Sequence, residues 1–248
     1  MALREDLEKQ GDSLFRWRSY IPFLMLPLFL VSLQSRDPFS EYFNDRVNLV
    51  WEIFCIFISV LGLVVRSIVI GYTPQGTSGR NTKEQVAETL NQTGMYTYLR
   101  NPLYFGNFLG FLGTVLFLEV WWLVIIAILI FWLYYERIIF REEEFLRGKF
   151  GQAYLDWAKT TPAFIPRLRK WKAPGLPFSM KNVIKREYYG LFSIVVFFTL
   201  LKVMKNYAEI YRFHLEFGYI VFFAAGTAIF IIIRILHKGT KLFATADR

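Results

Sequence analysis

The chain has 248 residues, of which 54% are hydrophobic and 19% aromatic, and its formal net charge is +9. Several separate apolar runs of about 15 to 20 residues exclude an ordinary soluble domain and indicate a polytopic membrane protein. The basic residues lie between these runs, so membrane orientation and anionic lipid head groups explain the charge better than a nucleic-acid partner does.

The cysteine and histidine content argues against a disulfide and against a metal site. Cys55 is the only cysteine and lies inside an apolar run, so an internal disulfide is impossible and a thiolate metal site is not expected. His214 and His237 are the only histidines, which makes a histidine-based metal centre equally unexpected. No small-residue cleavage site follows the first apolar run, so we expect residues 1–19 to be an uncleaved cytosolic arm.

Six apolar runs predict membrane-spanning helices, because irregular backbone cannot face lipid. The first contains Pro22 and Pro27 and is expected to be kinked or re-entrant. Only Glu119 separates the third run from the fourth, which predicts a tight antiparallel hairpin. The predicted fold is all-α, a polytopic transmembrane helical bundle of three hairpins with a cytosolic cap. The predicted spans are Tyr20–Leu33, Leu49–Ile70, Leu103–Leu118, Val120–Tyr135, Tyr189–Met204 and Gly218–Leu236.

The distribution of Lys and Arg predicts the orientation in the membrane. The N-terminal arm, the polar segments 72–102 and 136–188, and the C-terminal tail together hold 23 of these residues, whereas the intervening loops hold five. Because cytosolic loops are enriched in Lys and Arg, both termini and both long polar segments are predicted to be cytosolic. The membrane would be the inner membrane of a bacterium or the endoplasmic reticulum of a eukaryote.

Two ionisable residues lie inside the second predicted span. Glu52 is near its outer end and Arg66 near its inner end. A charge within a membrane suggests a functional site by default. Both residues are close enough to an interface for their side chains to reach water, so we expect them to snorkel instead.

A turn-rich loop, Gly71–Arg80, connects the second span to the third. It resembles a phosphate-binding loop superficially, but it lacks the G-K-[ST] ending and a preceding strand, so that function is not expected. Thr82 and Gln85 form a capping-box pattern, which predicts a short helix over Lys83–Asn91.

The segment Gly94–Gly106 (GMYTYLRNPLYFG) places polar residues at the start of the third span. Asn101 suits a helix N-cap and Pro102 suits the first helical position, so a helix is predicted to begin here. Its free backbone N–H groups would lie beside Arg100, a combination that suits a carboxylate or a phosphate. We therefore expect an anionic group to bind at this corner.

The fourth span is predicted to continue as a helix into the cytosol, because WLYYERIIFREEEFLRGKF contains no helix breaker before Gly148. Arg137 and the acidic run Glu142–Glu144 then lie beneath the anion-binding corner. They form either a solvated amphipathic face, which the i,i+4 pair Glu143 and Arg147 supports, or an opposed-charge pocket. The pattern alone favours neither.

Aromatic, proline and basic residues after this helix predict a cap on the membrane surface. Tyr154 and Trp157 precede the proline-bounded run Thr161–Pro166, and an interfacial aromatic belt is the simpler interpretation for Trp157. The basic clusters Arg167–Lys172 and Lys181–Arg186 are expected to hold this face against anionic lipid, or else to attract an anionic lipid substrate.

Four ordered motifs resemble the isoprenylcysteine carboxyl methyltransferase family and the related phospholipid methyltransferases. They are GxYxxxRNPxY at 94–104, Arg137 followed by EExxL at 142–146, FGxxY at 150–154 and a closing IP at 165–166. The resemblance covers roughly Leu90–Pro166, about a third of the chain. It implies an integral membrane enzyme that uses S-adenosylmethionine.

The resemblance also implies roles for individual residues. Arg137 and Glu142 match catalytic residues near the methyl acceptor, and Arg137 and Tyr154 would bind the substrate. Arg167 and Arg169 are added to the substrate-binding residues because they belong to the basic cluster that would attract an anionic lipid. The family usually has His where this chain has Asn101, which cannot titrate near neutral pH, so a His-dependent proton transfer is not expected. The residues implied to surround the cofactor are Gly94, Tyr96, Leu99, Arg100, Asn101, Pro102, Tyr104 and Glu143.

These observations predict one integral membrane domain over residues 1–248. After the cytosolic arm, residues 20–71 would form the first helical hairpin, 72–188 a methyltransferase-like core with a catalytic cytosolic cap, and 189–248 the last hairpin and tail.

The favoured activity is methyl transfer to a membrane lipid or a lipidated acceptor. An anionic oxygen, such as a lipid A-like phosphate, needs no general base and would be attracted by the basic clusters. A phospholipid amine and an isoprenylcysteine-type carboxylate stay open as acceptors. Two other classes also stay open: an NADPH-dependent sterol-type membrane reductase, which looks similar in the RxPxY and FGxxY regions, and a non-enzymatic membrane scaffold.

Overall fold

The structure is a computed structural model that describes residues 3–17, 25–34, 45–74, 87–167 and 171–240. Within these ranges the chain forms eight α-helices and a 3₁₀ turn, Gly94–Thr97, and it contains no strand, so the predicted all-helical fold is confirmed. The helices are α1 (Leu3–Trp17), α2 (Leu26–Ser32), α3 (Asp45–Tyr72), α4 (Pro102–Leu116), α5 (Trp121–Phe150), α6 (Gln152–Thr160), α7 (Met180–Ile210) and α8 (Phe217–Gly239).

Four of the described helices, α3, α5, α7 and α8, are long and apolar enough to cross a membrane. The third predicted span corresponds to α4, which has 15 residues. At about 1.5 Å per residue, α4 is shorter than a hydrocarbon core of about 30 Å. The first predicted span lies partly outside the described residues, and its described part contains the seven-residue α2. The predicted polytopic helical bundle is confirmed. The predicted number of six membrane spans is approximate, because four of the described helices are long and apolar enough to cross a membrane.

Two of the long helices extend beyond their predicted spans. α5 continues beyond Tyr135, as the absence of a breaker before Gly148 predicts. It also passes through Gly148 and ends at Gly151, where φ is +54°. α7 begins at Met180, well before its predicted start at Tyr189, because the Ser179 side chain accepts the N–H of Asn182 and caps the helix. This extension adds residues 180–188 to the bundle.

The predicted short helix over Lys83–Asn91 is wrong where it can be compared. Residues 87–91 are not helical, and residues 83–86 lie outside the described ranges. The Asn91 side chain interacts with the hydroxyl of Tyr96, and the Gly94 N–H donates to the Lys172 carbonyl at 2.9 Å. Contacts made across the fold, which a local capping pattern cannot anticipate, therefore determine the course of this segment.

Glycines determine how closely α3 and α4 pack. A Cβ on Gly62 would lie 2.4 Å from the Gly106 carbonyl oxygen, and a Cβ on Gly113 would lie 2.3 Å from Ser59 Oγ. Ser59 Oγ also donates a hydrogen bond of 2.9 Å to the Gly110 carbonyl. Lipid gives no hydrophobic drive for helix association, so close contact between small residues is the main attraction between such helices.

The connection between α4 and α5 is a tight antiparallel hairpin, as predicted. Ring centroids lie 4.9 Å apart for Tyr104 and Tyr135 and 5.1 Å apart for Phe108 and Phe131, so residue numbers rise on α4 as they fall on α5. Glu119 occupies the turn at φ +58°, and its Oε2 accepts from Lys205 Nζ at 2.7 Å. This ion pair ties the hairpin to α7.

Neither Glu52 nor Arg66 reaches for water, so the predicted snorkelling is wrong for both. Glu52 is 4% exposed, and its two oxygens accept from Lys202 Nζ at 2.7 Å and from the Tyr219 hydroxyl at 2.9 Å. Arg66 makes a bidentate ion pair with Glu187. The partners come from α7 and α8, and nothing in the local sequence around Glu52 or Arg66 indicates which distant residues will lie at the same depth.

The helix α1 packs against the C-terminal half of α5. Arg137 Nε donates to Gln10 Oε1 at 2.8 Å, and Arg141 Nε donates to Asp12 Oδ1 at 2.7 Å. Gly11 permits this approach, because a Cβ there would lie 2.7 Å from the Arg137 carbonyl oxygen. The N-terminal arm is therefore a helix docked on the bundle.

Candidate functional site

Several segments meet where α4 begins and α5 ends, a region we call the site end of the bundle. The segment 94–101 lies against the loop 161–167, because the Arg100 N–H donates to the Pro162 carbonyl at 2.8 Å and the Arg167 N–H donates to the Tyr98 carbonyl at 3.0 Å. Leu99 is fully buried beneath them. These contacts fix the backbone that carries Arg100.

Gly94 and Asn101 mark the two ends of this segment. Gly94 has φ +61°, a conformation that favours glycine, and it begins the 3₁₀ turn. Asn101 occupies the predicted N-cap position and Pro102 the first position of α4, but the Asn101 side chain does not cap the helix. Its Nδ2 instead donates to the Ala163 carbonyl at 3.0 Å. The predicted helix start is confirmed, and the side chain holds the 161–167 loop.

Arg100 and Glu143 form an ion pair at the centre of the site end. Arg100 Nη2 lies 3.1 Å from Glu143 Oε1, and the two side chains are 17% and 25% exposed. Arg100 Nη1 makes a long contact of 3.4 Å with the Ala158 carbonyl. The opposed charges that the sequence left undecided between a solvated face and a pocket thus meet in a half-buried corner.

This corner also gathers unsatisfied hydrogen-bonding groups. Among the described residues, eight buried side-chain N or O atoms have no hydrogen-bond partner, and five of them belong to the site end. Buried polar groups are normally paired, so unpaired atoms on these neighbouring segments are candidates to bind a ligand or an ordered solvent molecule. The five atoms are Thr97 Oγ1, Arg100 Nε, Glu143 Oε1, Tyr154 Oη and Trp157 Nε1.

Tyr154 is 3% exposed and lies beside Glu143. Its hydroxyl interacts with the Glu143 carboxylate without reaching hydrogen-bonding geometry. Burial, followed by the negative charge of Glu143, raises the pKa of Tyr154 above its usual range. Tyr154 is therefore a neutral phenol at physiological pH, with a hydroxyl that can still donate.

A second polar wall is built from α4 and α5. The Tyr104 hydroxyl donates a short hydrogen bond to Glu142 Oε1. Tyr96, in the 3₁₀ turn, lies close enough to Glu142 to interact with its charge; burial, followed by that charge, raises the pKa of Tyr96. Glu142 and Glu143 thus take part in two adjacent sets of contacts, one with Tyr104 and Tyr96, the other with Arg100 and Tyr154.

Arg137 lies on a different face of α5 from this corner. Its Nη1 donates to the Leu133 carbonyl at 2.6 Å, and its Nε donates to Gln10 on α1. Arg137 and Arg141 are four residues apart and contact α1 together, as the helical period requires. The structure therefore brings Glu142, but not Arg137, next to the residues implied to hold the cofactor.

The basic residues after α6 are less closely connected to the corner. Arg167 bonds to Tyr98 through its backbone, and its side chain is exposed. Arg169 lies outside the described residues. Of the residues expected to bind substrate, only Tyr154 is buried in the site end.

Thr97 is a site residue that the motifs did not reveal. Its side chain is 7% exposed and its hydroxyl is one of the five orphans. The sequence signal that could have indicated Thr97 is its hydroxyl, which stands between two tyrosines and three residues before Arg100. Trp157, which the sequence assigned to an interfacial belt, also directs an orphaned N–H into a buried position.

The part of the chain that the structure describes contains no group of three or more His, Cys, Asp or Glu residues that could hold a metal ion. The polar corner is formed by one cation, two carboxylates and neutral donors. Such a set suits a ligand that carries both charges.

Comparisons with known proteins give the same family resemblance as the motifs. The model of the phospholipid methyltransferase family matches residues 51–153. A nickel-cobalt-cadmium resistance protein of Alcaligenes xylosoxydans xylosoxydans is 33% identical over 116 residues, 47% of this chain and 52% of its own. A cobalt-zinc-cadmium resistance protein of Cupriavidus metallidurans is 37% identical over 84 residues, 34% of this chain and 38% of its own.

A protein-S-isoprenylcysteine O-methyltransferase of Schizosaccharomyces pombe is 27% identical over 129 residues, 52% of this chain and 55% of its own. The chain thus spans about half or less of the length of these curated relatives, and no solved structure matches it. The resemblance to the isoprenylcysteine and phospholipid methyltransferases is confirmed, and the matched segment 51–153 includes Arg100, Glu142 and Glu143.

Proposed function

We propose that this chain, whose residues 51–153 match the phospholipid methyltransferase family, is a membrane-embedded methyltransferase that uses S-adenosylmethionine. The observation on which the proposal rests is the half-buried corner formed by Arg100 and Glu143. It presents a cation and a carboxylate, with Arg100 Nε lacking a hydrogen-bond partner and the buried hydroxyl of Tyr154 beside Glu143. A zwitterionic amino-acid group, such as the cofactor has, would satisfy both charges.

The residues of the corner fit the two charged ends of this cofactor. Arg100 would bind its carboxylate, aided by the N-terminus of α4, and Glu143 would bind its ammonium group. Thr97, Tyr154 and Trp157 would contribute hydrogen bonds through groups that lack a partner. The bound cofactor supplies a methyl group on a positively charged sulfur.

The remaining task of the protein is to align the acceptor and exclude water, because methyl transfer is an in-line displacement. Tyr104 holds Glu142 by a short hydrogen bond, which places a carboxylate next to the cofactor corner. An acceptor that is already an oxyanion needs no proton removed, and Glu142 would then orient rather than act as a base. An amine acceptor would have to lose a proton, and Glu142 is the carboxylate placed to receive it.

We propose further that the acceptor is a lipid or a lipidated molecule with an anionic oxygen, of which a lipid A-like phosphate is one example. Support comes from the position of the corner at the ends of membrane-spanning helices and from the exposed basic side chain of Arg167 nearby. The neighbouring cluster would also bind anionic lipid at the cytosolic face. A phospholipid amine and an isoprenylcysteine-type carboxylate are the alternatives within the same chemistry.

The metal-resistance names of two relatives suggest a link to metal handling, but no residue cluster in the described ranges supports metal binding by this chain. A membrane reductase and a non-enzymatic scaffold are the rivals of another class. A reductase would require a dedicated basic pocket for the 2′-phosphate of NADPH.

The test is equilibrium binding of S-adenosylhomocysteine to the purified full chain in detergent. Wild type should bind, and Arg100→Ala should weaken binding at least tenfold, which corresponds to about 1.4 kcal/mol. Arg141→Ala is the matched control, because it removes the same charge from a residue that faces α1, and it should bind like wild type. Binding of NADPH without S-adenosylhomocysteine would favour the reductase, and binding of neither would favour the scaffold.

A further inference from the structure

A polar network connects α3, α4, α5 and α7 inside the bundle, close to the proposed site. Arg66 Nε and Nη2 donate to the two Glu187 oxygens at 2.9 and 2.7 Å. Arg66 Nη1 donates to Asn107 Oδ1 at 2.6 Å. Asn107 Nδ2 then donates to the Tyr135 hydroxyl at 3.3 Å.

The bundle is shaped to accommodate this network. A Cβ on Gly106 would lie 2.6 Å from Arg66 Cγ. The aliphatic part of the Arg66 side chain therefore fits against α4 because residue 106 is a glycine. A Cβ on Gly190 would lie 3.3 Å from Glu187 Oε2. Glu187 is 5% exposed and Arg66 is 25% exposed, so the pair is largely withdrawn from solvent.

Stability alone is a poor explanation for such a pair. Desolvation of two charges costs about as much as their attraction returns, and apolar residues of similar size often replace buried pairs without loss. Ionisable residues inside membrane-spanning helices usually mark a functional pathway. The network therefore needs a role beyond holding the helices together.

The geometry leads from the ion pair to the second polar wall of the site. The Tyr135 ring packs on the Tyr104 ring with centroids 4.9 Å apart, and the Tyr104 hydroxyl donates to Glu142. Asn107 lies on α4, five residues after Pro102, so the network lies between one and two helical turns below the start of that helix.

We propose that Arg66 and Glu187 are positioning residues for the methyl-transfer site. Their ion pair fixes the orientation of Asn107, which fixes Tyr135, and the Tyr135 ring in turn holds Tyr104 against Glu142. The inference rests on the proposed function for its purpose, but the mechanical link among these side chains is a property of the fold. Arg66 is required for its fork geometry, because only a guanidinium can bond Glu187 twice and Asn107 once.

The bundle offers a matched control at its far end. Lys202 Nζ lies 2.7 Å from Glu52 Oε1, and these side chains are 14% and 5% exposed, so this pair is as deeply buried as the first. It contacts Tyr219 of α8 and has no bond to Tyr135 or Tyr104 among the described contacts. A purely structural role would be the same for both pairs.

The test labels the full chain with 3-fluorotyrosine and follows the ¹⁹F resonances of Tyr104 and Tyr135 in detergent, assigned by Tyr→Phe substitution. Arg66→Lys, which removes the fork, and Asn107→Ala, which leaves the ion pair intact, should both shift the two resonances. Lys202→Met should leave them unchanged. In Asn107→Ala, S-adenosylhomocysteine binding should weaken several-fold.

Two results would overturn the proposal. One is an unchanged Tyr104 resonance in Asn107→Ala. The other is an equal loss of thermal stability in Arg66→Lys and Lys202→Met with no shift in either tyrosine, which would make both pairs structural. If wild type fails to bind S-adenosylhomocysteine, the proposed function fails, and the tyrosine shifts still decide whether the network positions Tyr104.

Discussion

Arg100 has a fixed backbone and an incompletely satisfied side chain. Its N–H is bonded to the Pro162 carbonyl at 2.8 Å, whereas Nε has no partner and Nη1 reaches the Ala158 carbonyl only at 3.4 Å. A guanidinium carries five N–H donors, and a structural arginine in a half-buried place normally uses most of them. A side chain on a fixed backbone with unused hydrogen-bond donors is the arrangement expected of a residue that binds a ligand.

Tyr154 allows this interpretation to be tested at the level of one oxygen atom. Its buried hydroxyl has no hydrogen-bond partner, and an unsatisfied buried polar group costs about 1–3 kcal/mol. Tyr154→Phe should therefore leave thermal stability unchanged or raise it by about 1 kcal/mol. It should also weaken S-adenosylhomocysteine binding about tenfold, since the ligand loses a donor.

The matched control for this prediction is Tyr211→Phe, which removes a hydroxyl from a residue that is 78% exposed in the loop between α7 and α8. Binding and stability should both stay at the wild-type level. A Tyr154→Phe protein that loses stability and keeps full affinity would show that the hydroxyl serves the fold instead of the ligand.

Among the elements, α4 depends most on its neighbours. It is too short to span a membrane alone, and it begins at Pro102, two residues after Arg100. Its position is set by contact with α3 through glycines on both helices. Any change that separates α3 from α4 should therefore disturb Tyr104 and the corner formed by Arg100 and Glu143 together.

Two glycines of α4 separate close packing from helix propensity. Gly113→Ala would place a Cβ 2.3 Å from Ser59 Oγ and 2.4 Å from the Cys55 carbonyl, and overpacking of this kind costs about 1–3 kcal/mol. A Cβ on Gly110 would meet nothing within 4 Å. Gly110→Ala should thus be neutral or stabilising by up to about 1 kcal/mol, because alanine favours the helix. Thermal unfolding in detergent compares the two, and equal midpoints would contradict the role assigned to Gly113.

How far the sequence predicted the structure also depends on the scale of the signal. The start of α4 at Pro102 and the continuation of α5 from Tyr135 towards Gly148 follow from local chemistry, and both were predicted. The pairing of Arg66 with Glu187, 121 residues away, follows from tertiary packing and leaves no local pattern. Arg137 was implied by a motif, yet the stripe it shares with Arg141 faces α1, a helix that the motif does not include.

The molecule as a whole has two polar ends of different character. At the far end Lys202 pairs with both Glu52 and Glu216, and Lys205 pairs with Glu119, so the cations are matched by carboxylates. The site end holds five of the eight buried side-chain atoms of the described chain that have no hydrogen-bond partner. The ion pairs at the far end therefore hold helices together, whereas the site end has the unpaired polar atoms that are expected of a binding surface.

The proposed function requires the site end to face the cytosol, where S-adenosylmethionine would be supplied, and the distribution of Lys and Arg predicts this orientation. Variants with one added cysteine test this orientation, because the native Cys55 is fully buried and should give little background labelling. In intact cells, a membrane-impermeant maleimide should label Phe213→Cys, in the exposed loop at the far end. It should label Ser13→Cys, on the exposed face of α1, only after permeabilisation.

The reverse labelling pattern would contradict more than the topology. It would place Arg100 and Glu143 on the side of the membrane without a cytosolic cofactor supply, and the proposed methyl transfer would then lack its donor. Labelling of both positions from outside would indicate leaky cells, which a third cysteine on a cytosolic marker protein detects. Labelling of Phe213→Cys alone in intact cells would place the polar corner, the docked α1 and the positioning network at one cytosolic face, as methyl transfer to a membrane-bound acceptor requires.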